Sequence, residues 1–76
     1  MSEIGPRTDM IESGWVVAFD EDVGLGEIES DDGGRYAFHA TAIADGKRAI
    51  AVGTEVHFVV VFAPRGRFEA AKVTPR

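Results

Sequence analysis

The chain has 76 residues, contains no cysteine and carries a formal net charge of −5. This length provides one small core, and the lack of cysteine excludes disulfides and thiolate metal sites. No apolar run reaches the roughly 20 residues that a membrane-spanning helix needs, and the N-terminal residues do not resemble a signal peptide. We therefore expect a cytoplasmic protein without membrane association.

The charge is unevenly distributed along the chain. Residues 1–36 contain ten acidic residues against Arg7 and Arg35, whereas residues 37–76 contain six basic residues against three acidic ones. An acidic protein has no general attraction for polyanions, so contact with phosphate would have to be made locally by the C-terminal half. A dipolar, simply solvated surface explains the same distribution.

Strand-like segments and turns alternate from Gly14 onward. Residues 1–13 are mostly polar and are predicted to form a flexible N-terminal arm, which leaves 14–76 as the folded domain. Segments rich in β-branched and aromatic residues are separated by Gly- and Asp-rich turns and cover about 15–19, 25–29, 35–39, 55–62 and 68–73. These segments predict five strands, with one short helical turn over 41–44.

Residues 55–62 give the strongest strand signal. With a period of two, one face contains Val56, Phe58, Val60 and Phe62, and the other contains His57, Val59 and Val61. Because both faces are largely apolar, this strand is either covered on both sides or exposes a partner surface.

Five short strands without an amphipathic helix predict an all-β fold. A five-stranded antiparallel barrel limits the number of open strand edges and accommodates the short, regularly spaced turns.

One ordered series of glycines, apolar residues and a histidine extends over residues 14–73. It runs Gly14-x-Val16-x-x-Phe19, Gly24-Leu25-Gly26-x-Ile28-Glu29, Phe38-His39-Ala40-Thr41-Ala42-Ile43, Gly53-x-x-Val56-x-Phe58, Gly66, and Ala70-Ala71-x-Val73. This pattern resembles the cold-shock domain, and within it a divergent actinobacterial branch of short cold-shock-like proteins. The resemblance implies a five-stranded OB-fold that binds single-stranded RNA or DNA, with bases stacked on aromatic rings and phosphates contacted by Lys and Arg.

The chain departs from that family where binding would reside. The family's display aromatics align with Leu25 and Glu27 in the first motif and with Ala37 and Ala40 in the second, while His39 is retained. Stacking contributes about 1–3 kcal/mol per base, so the loss of three or more rings lowers the expected affinity by about a thousandfold. Glu27 adds like-charge repulsion toward phosphate.

Seven residues are nevertheless candidate nucleic-acid contacts. Trp15 and Phe19 alternate along the first strand and should share one side unless a bulge intervenes, which makes Trp15 a candidate stacking platform beside His39. Structural roles are the alternatives, with Trp15 capping the barrel and Phe19 at the edge of the core. The basic candidates lie in two loops and are Lys47, Arg48, Arg65 and Arg67. The alternative for the four basic residues is that they are solvated loop charges without a ligand. The alternative for His39 is an ordinary exposed histidine on a strand.

We therefore predict a small cold-shock-like domain that binds single-stranded RNA or DNA weakly or with altered preference. The alternative is an OB-fold that has lost this binding and acts as a protein-interaction module or homodimer, through the Val59/Val61 side and the Leu25/Ala37/Ala40 surface. The chain has two histidines, no cysteine and no nucleophile with an evident base. We accordingly predict no enzymatic activity, no metal and no cofactor.

Overall fold

The computed structural model describes residues 11–63 and 66–76. Its elements are β1 (Ile11–Asp20), β2 (Leu25–Ser30), β3 (Arg35–His39), a 3₁₀ turn (Ala40–Ala42), β4 (Glu55–Ala63) and β5 (Arg67–Pro75). The all-β prediction is confirmed, and the helical turn begins one residue earlier than expected. Residues 11–13, assigned to the arm from the sequence, belong to β1, and residues 1–10 lie outside the described residues. Within the described part of the chain, no helix is long and apolar enough to cross a bilayer.

The five strands close into a barrel in the order β1-β2-β3-β5-β4. Four of the neighbouring pairs are antiparallel, and the β3–β5 pair is parallel. The prediction of a purely antiparallel barrel is therefore wrong in this pair. The reason is geometric, because an odd number of strands in a closed ring cannot alternate in direction throughout. The mixed arrangement is consistent with an OB-fold.

The core is formed by inward-facing residues of all five strands and of the segment after the 3₁₀ turn. Its buried members are Val16, Ile28, Tyr36, Phe38, Ile43, Val56, Phe58, Val60, Ala70 and Val73. Period-two alternation puts these side chains inside along β2, β3 and β4, whereas in β5 the register shift opposite His57 and Val59 turns both Ala70 and Val73 inward although they are three residues apart. The outer surface of the barrel is therefore where the candidate contacts must be sought.

A β-bulge in β1 separates the two aromatic candidates of that strand. The pairing with β2 shifts register across Val17, which is the extra residue. Beyond the bulge, Ala18 is exposed and Phe19 packs against the core, with its ring stacked on Phe38 at a centroid distance of 5.9 Å. Trp15 and Phe19 therefore face opposite sides of the sheet. Their predicted common side required a strand without a bulge.

A second irregularity lies in β5. The pairing with β4 shifts register between His57 and Val59, and Lys72 on β5 adopts a left-handed conformation with φ of 52°. A side chain with a Cβ is disfavoured there relative to glycine. Lys72 is therefore a locally strained position within an otherwise extended strand.

The β2–β3 turn is held together by one carboxylate. Ser30 Oγ donates a hydrogen bond to Asp32 Oδ1, and the Gly34 N–H donates to the same oxygen at 3.1 Å. These two hydrogen bonds hold the pKa of Asp32 below its ordinary value of 3.8, and the bond from Ser30 has the larger effect. Gly33 has a φ of 94°, which a residue with a side chain rarely adopts.

Candidate nucleic-acid interface

The outer face of β1, β2 and β3 consists of three cross-strand rows. In the order β1, β2, β3, these rows are Asp20–Leu25–His39, Ala18–Glu27–Ala37 and Trp15–Glu29–Arg35. Trp15 is the one Phe, Tyr or Trp residue among these nine, and it stands at a corner. The face therefore lacks the array of rings that the family resemblance implies.

The centre of this face is acidic. Arg35 pairs with two carboxylates, Nη1 lying 3.4 Å from Glu27 Oε1 and Nη2 lying 3.4 Å from Glu29 Oε1. Exposed pairs of this kind contribute little to stability, but they occupy the guanidinium, and two carboxylates against one cation leave a net negative charge to which Asp20 adds. Phosphate is disfavoured over the middle of the sheet.

Trp15 lies in acidic surroundings as well. It faces Glu29 on β2 and Glu55 on β4 across the strand pairs. It also lines a shallow cleft of about 260 Å³ together with Asp31 and Arg76, and Arg76 pairs with Glu55 at 3.7 Å. The predicted placement of Trp15 beside His39 is wrong.

The two residues occupy diagonal corners of the three-strand face, with Trp15 in one end row and His39 in the other. Four residues along the strands and two strand spacings across them give a separation of about 16 Å. A single base cannot contact both.

His39 instead borders a depression of about 340 Å³ on the outer surface, where β2 and β3 approach β5 and the end of β4. Its lining residues are Leu25, Ala37, Phe38, His39, Ala63, Arg67 and Glu69. The apolar members form most of the surface, and the polar ones contribute an imidazole, a guanidinium and a carboxylate. The small side chain of Ala37 leaves space where a larger residue would fill the depression.

A second depression of about 320 Å³ lies on the other side of His39. It is lined by the β1–β2 loop, the 3₁₀ turn and Arg48, namely Glu21, Asp22, Val23, Gly24, His39, Ala40, Thr41 and Arg48. His39 is thus the ridge between two depressions, with Arg67 in one and Arg48 in the other. We call this region, defined by His39, Arg48, Arg67 and the two depressions, the His39 corner.

Backbone hydrogen bonds fix the geometry of the His39 corner. Gly24 N–H donates to the Asp20 carbonyl at 2.8 Å, and Ala40 N–H donates to the Gly24 carbonyl at 2.8 Å. Gly24 has a φ of 72°, a conformation that favours glycine. The β1–β2 loop is thereby tied to the residue that follows His39, so the ridge has a defined position.

The other predicted contacts are placed differently. Lys47 lies next to Arg48 and lines a further depression with Glu21, so it adjoins the His39 corner. Phe19 faces the core and presents no ring on the outer sheet. Arg65 lies outside the described residues.

Sequence reasoning missed two exposed aromatic residues. Phe62, which the period-two pattern places on one face with Val56, Phe58 and Val60, is 61% exposed, and Phe68 on β5 is 36% exposed. The two are directly paired across the β4–β5 hairpin. Their sequence signal was an aromatic residue on each side of a Pro-Arg-Gly-Arg turn.

Among residues 11–63 and 66–76, no three histidine, aspartate or glutamate side chains lie close enough to hold a metal ion. The second histidine, His57, has Nδ1 at 3.3 Å from Ser13 Oγ, both on the exposed surface, and the structure gives this pair no carboxylate partner in the described part of the chain.

Compared with models of known protein families and with curated protein sequences, the chain gives no match. The site must therefore be interpreted from its own residues.

Proposed function

We propose that this chain is an OB-fold barrel of the cold-shock class that binds single-stranded RNA or DNA weakly, at the His39 corner. The observation that carries the proposal is the convergence of His39, Arg48 and Arg67 around two adjoining depressions. A concave apolar surface with a few convergent polar groups is the usual form of a ligand site, and guanidinium groups suit phosphate.

Each group at the corner has a distinct part in this binding. The larger depression is wide enough for one base, whose face would lie on the apolar surface of Leu25 and Ala37. His39 can donate or accept a hydrogen bond to a base edge. Arg67 and Arg48, on opposite sides of the imidazole, would contact successive phosphates.

Two features make the binding weak. The apolar contact from Leu25 and Ala37 replaces ring stacking, which contributes about 1–3 kcal/mol per base where rings are present. Carboxylates also accompany the cations, with Glu69 in one depression and both Glu21 and Asp22 in the other. Their repulsion of phosphate is largest at low ionic strength.

The test is fluorescence anisotropy of a labelled 12-nucleotide single strand, titrated with protein at several salt concentrations. We expect saturable binding that weakens as salt rises, because phosphate contacts release counterions. Arg67→Ala should weaken binding to all sequences and reduce the salt slope by about one unit. Trp15→Phe serves as the control at the opposite corner and should leave the affinity unchanged. Absence of binding by the wild-type protein at about 10 mM salt, where screening is weakest, would refute the proposal.

Protein–protein contact is the second candidate function, and one observation favours it. Ile11 on β1 is paired with Val59 on β4 and is 73% exposed, and Val61 on the same outer side of β4 is 38% exposed. An apolar patch of this kind is typical of interaction sites. If the patch joins two copies of the chain, sedimentation velocity should detect a dimer that Val61→Lys dissociates. A monomeric wild-type protein at all concentrations would exclude the homodimer.

A further inference from the structure

Two phenylalanine rings at the end of the β4–β5 hairpin form an exposed aromatic pair. Phe62 and Phe68 are cross-strand partners, with ring centroids 5.2 Å apart and ring planes at 69°. Such an edge-to-face contact is favourable, and it holds both rings in a defined orientation. The larger part of Phe62 remains exposed to solvent.

The pair does not belong to the barrel core. Phe62 follows Val60 with the same strand parity, and Phe68 precedes Ala70 in the same way, yet only Val60 and Ala70 are among the buried core residues. Both rings thus continue the inward-facing parity of their strands, yet Phe62 remains 61% exposed and Phe68 36% exposed.

The charge around the pair differs from that of the acidic sheet face. No acidic residue occurs in the sequence between Glu55 and Glu69. Arg67, which precedes Phe68, is exposed and is also one of the residues at the His39 corner. Counted over residues 56–69, Arg65 and Arg67 against Glu69 give the hairpin sequence a net charge of +1, in a chain whose net charge is −5.

We propose that Phe62 and Phe68 form a base-stacking platform for single-stranded nucleic acid. This inference rests on the proposed function and assigns to the hairpin the stacking contacts that the β1–β2–β3 face lacks. Exposed aromatic rings together with cationic side chains are the usual elements of single-strand binding, and the net positive charge of the hairpin attracts the phosphates of a single strand.

The platform and the His39 corner are joined through Arg67. Arg67 and Phe68 are successive residues of β5, so their side chains lie on opposite faces of the strand. A nucleic-acid chain that contacts both must cross the end of the hairpin. Bases on the two sides of the Arg67-bound phosphate would then lie in the depression and on the rings, respectively.

The test compares two labelled probes, a 12-nucleotide oligothymidine and an abasic strand of the same length. Both carry the same phosphates, but only the first has bases to stack. We expect the wild-type protein to bind oligothymidine more tightly than the abasic strand. The double substitution Phe62→Leu/Phe68→Leu keeps apolar bulk and removes the rings, and it should lower oligothymidine affinity about tenfold or more while leaving abasic binding unchanged.

Two control variants keep the result interpretable. Phe62→Trp retains a stacking surface and should preserve the preference for oligothymidine. Val52→Ser changes a loop side chain that is 63% exposed, close to the 61% of Phe62. This substitution should leave the affinity for both probes unchanged. Circular dichroism and thermal unfolding of each variant show whether the fold is retained.

The outcomes separate this inference from the function on which it rests. If the wild type binds oligothymidine and the double variant binds it equally tightly, the platform is refuted. The proposed binding at the His39 corner is unaffected by that result. Failure of the wild type to bind either probe overturns both. If the double substitution dissociates a dimer and alters no oligonucleotide affinity, the rings are a contact between copies and the platform is refuted.

Discussion

Replacing Glu27 by lysine should strengthen oligonucleotide binding. Glu27 is paired with Ala37 across β2 and β3, and Ala37 lines the larger depression at the His39 corner. The substitution changes the local charge by two units and removes one of the two partners of Arg35. A phosphate held at the corner would therefore lose a repulsive interaction and gain an attractive one.

The magnitude follows from the distance. For a phosphate about 7 Å from this side chain, a change of two charges corresponds to about 1.2 kcal/mol in water before screening. At about 10 mM salt, where the Debye length is about 30 Å, about 1 kcal/mol remains, which is about fivefold in Kd. At about 0.15 M salt the Debye length falls to about 8 Å, and the gain should shrink to about twofold.

Glu55→Lys is the matched control for this prediction. Glu55 is also an exposed strand residue paired with an arginine, here Arg76, but it lies beside Trp15 and about 20 Å from the His39 corner, as judged from strand spacings. We expect it to change the affinity by less than about twofold even at low salt. Anisotropy titrations at both salt concentrations measure the two variants. A larger gain from Glu55→Lys than from Glu27→Lys would refute the His39 corner and favour the Trp15 cleft.

Three further predictions concern the barrel itself. Lys72→Gly should stabilise the protein by about 1 kcal/mol in urea unfolding because it relieves the left-handed φ, and Lys72→Ala should give no such gain; equal effects of the two would contradict this reason. Gly26→Ala should cost about 1–3 kcal/mol because its Cβ would lie 2.5 Å from Phe38 Cζ, and a loss within error would mean that the ring moves freely. Because the pKa of Asp32 is held below 3.8 in the folded state, its stabilising effect is complete above that pH and is lost as the pH falls through the folded-state pKa. Asp32→Asn should therefore flatten the stability profile below about pH 4, and an unchanged profile would count against the turn hydrogen bonds.

The strands could be predicted from the sequence because their signals are local. Runs of β-branched and aromatic residues bounded by glycine and aspartate located all five. The sequence also implied that at least one neighbouring pair is parallel, since five strands cannot close into a ring with every neighbour antiparallel, but it did not indicate that this pair is β3–β5. What the local pattern omits is how the strands are arranged around the barrel.

Side-chain direction was harder to predict than strand location. One extra residue, Val17, reverses the alternation along β1 and turns Phe19 inward while Trp15 stays outside. Phe62 continues the alternation from Val60, yet it is 61% exposed. A period of two indicates which side of the strand a residue faces, and it does not indicate how fully that side is covered.

The candidate site was predictable in its residues and not in its arrangement. His39, Arg48 and Arg67 were chosen from charge and family resemblance, and their convergence depends on the loop at Gly24 and on the pairing of β3 with β5. Of the carboxylates that accompany them, Glu69 lies two residues from Arg67 on the same strand and could be expected from the sequence. Glu21 and Asp22 lie far from Arg48 in the sequence, and that proximity is a long-range property that no single stretch of sequence records.

The most direct test of the central claim is an amide chemical-shift map of the ¹⁵N-labelled protein titrated with unlabelled oligothymidine at about 10 mM salt, where screening is weakest. The account predicts amide chemical-shift changes that saturate at Leu25, Ala37, His39 and Arg67 and that diminish as salt is raised. The amide signals of Trp15 and Glu55 should not shift. Shifts centred on Trp15 and Glu55, or none at any residue, would contradict it.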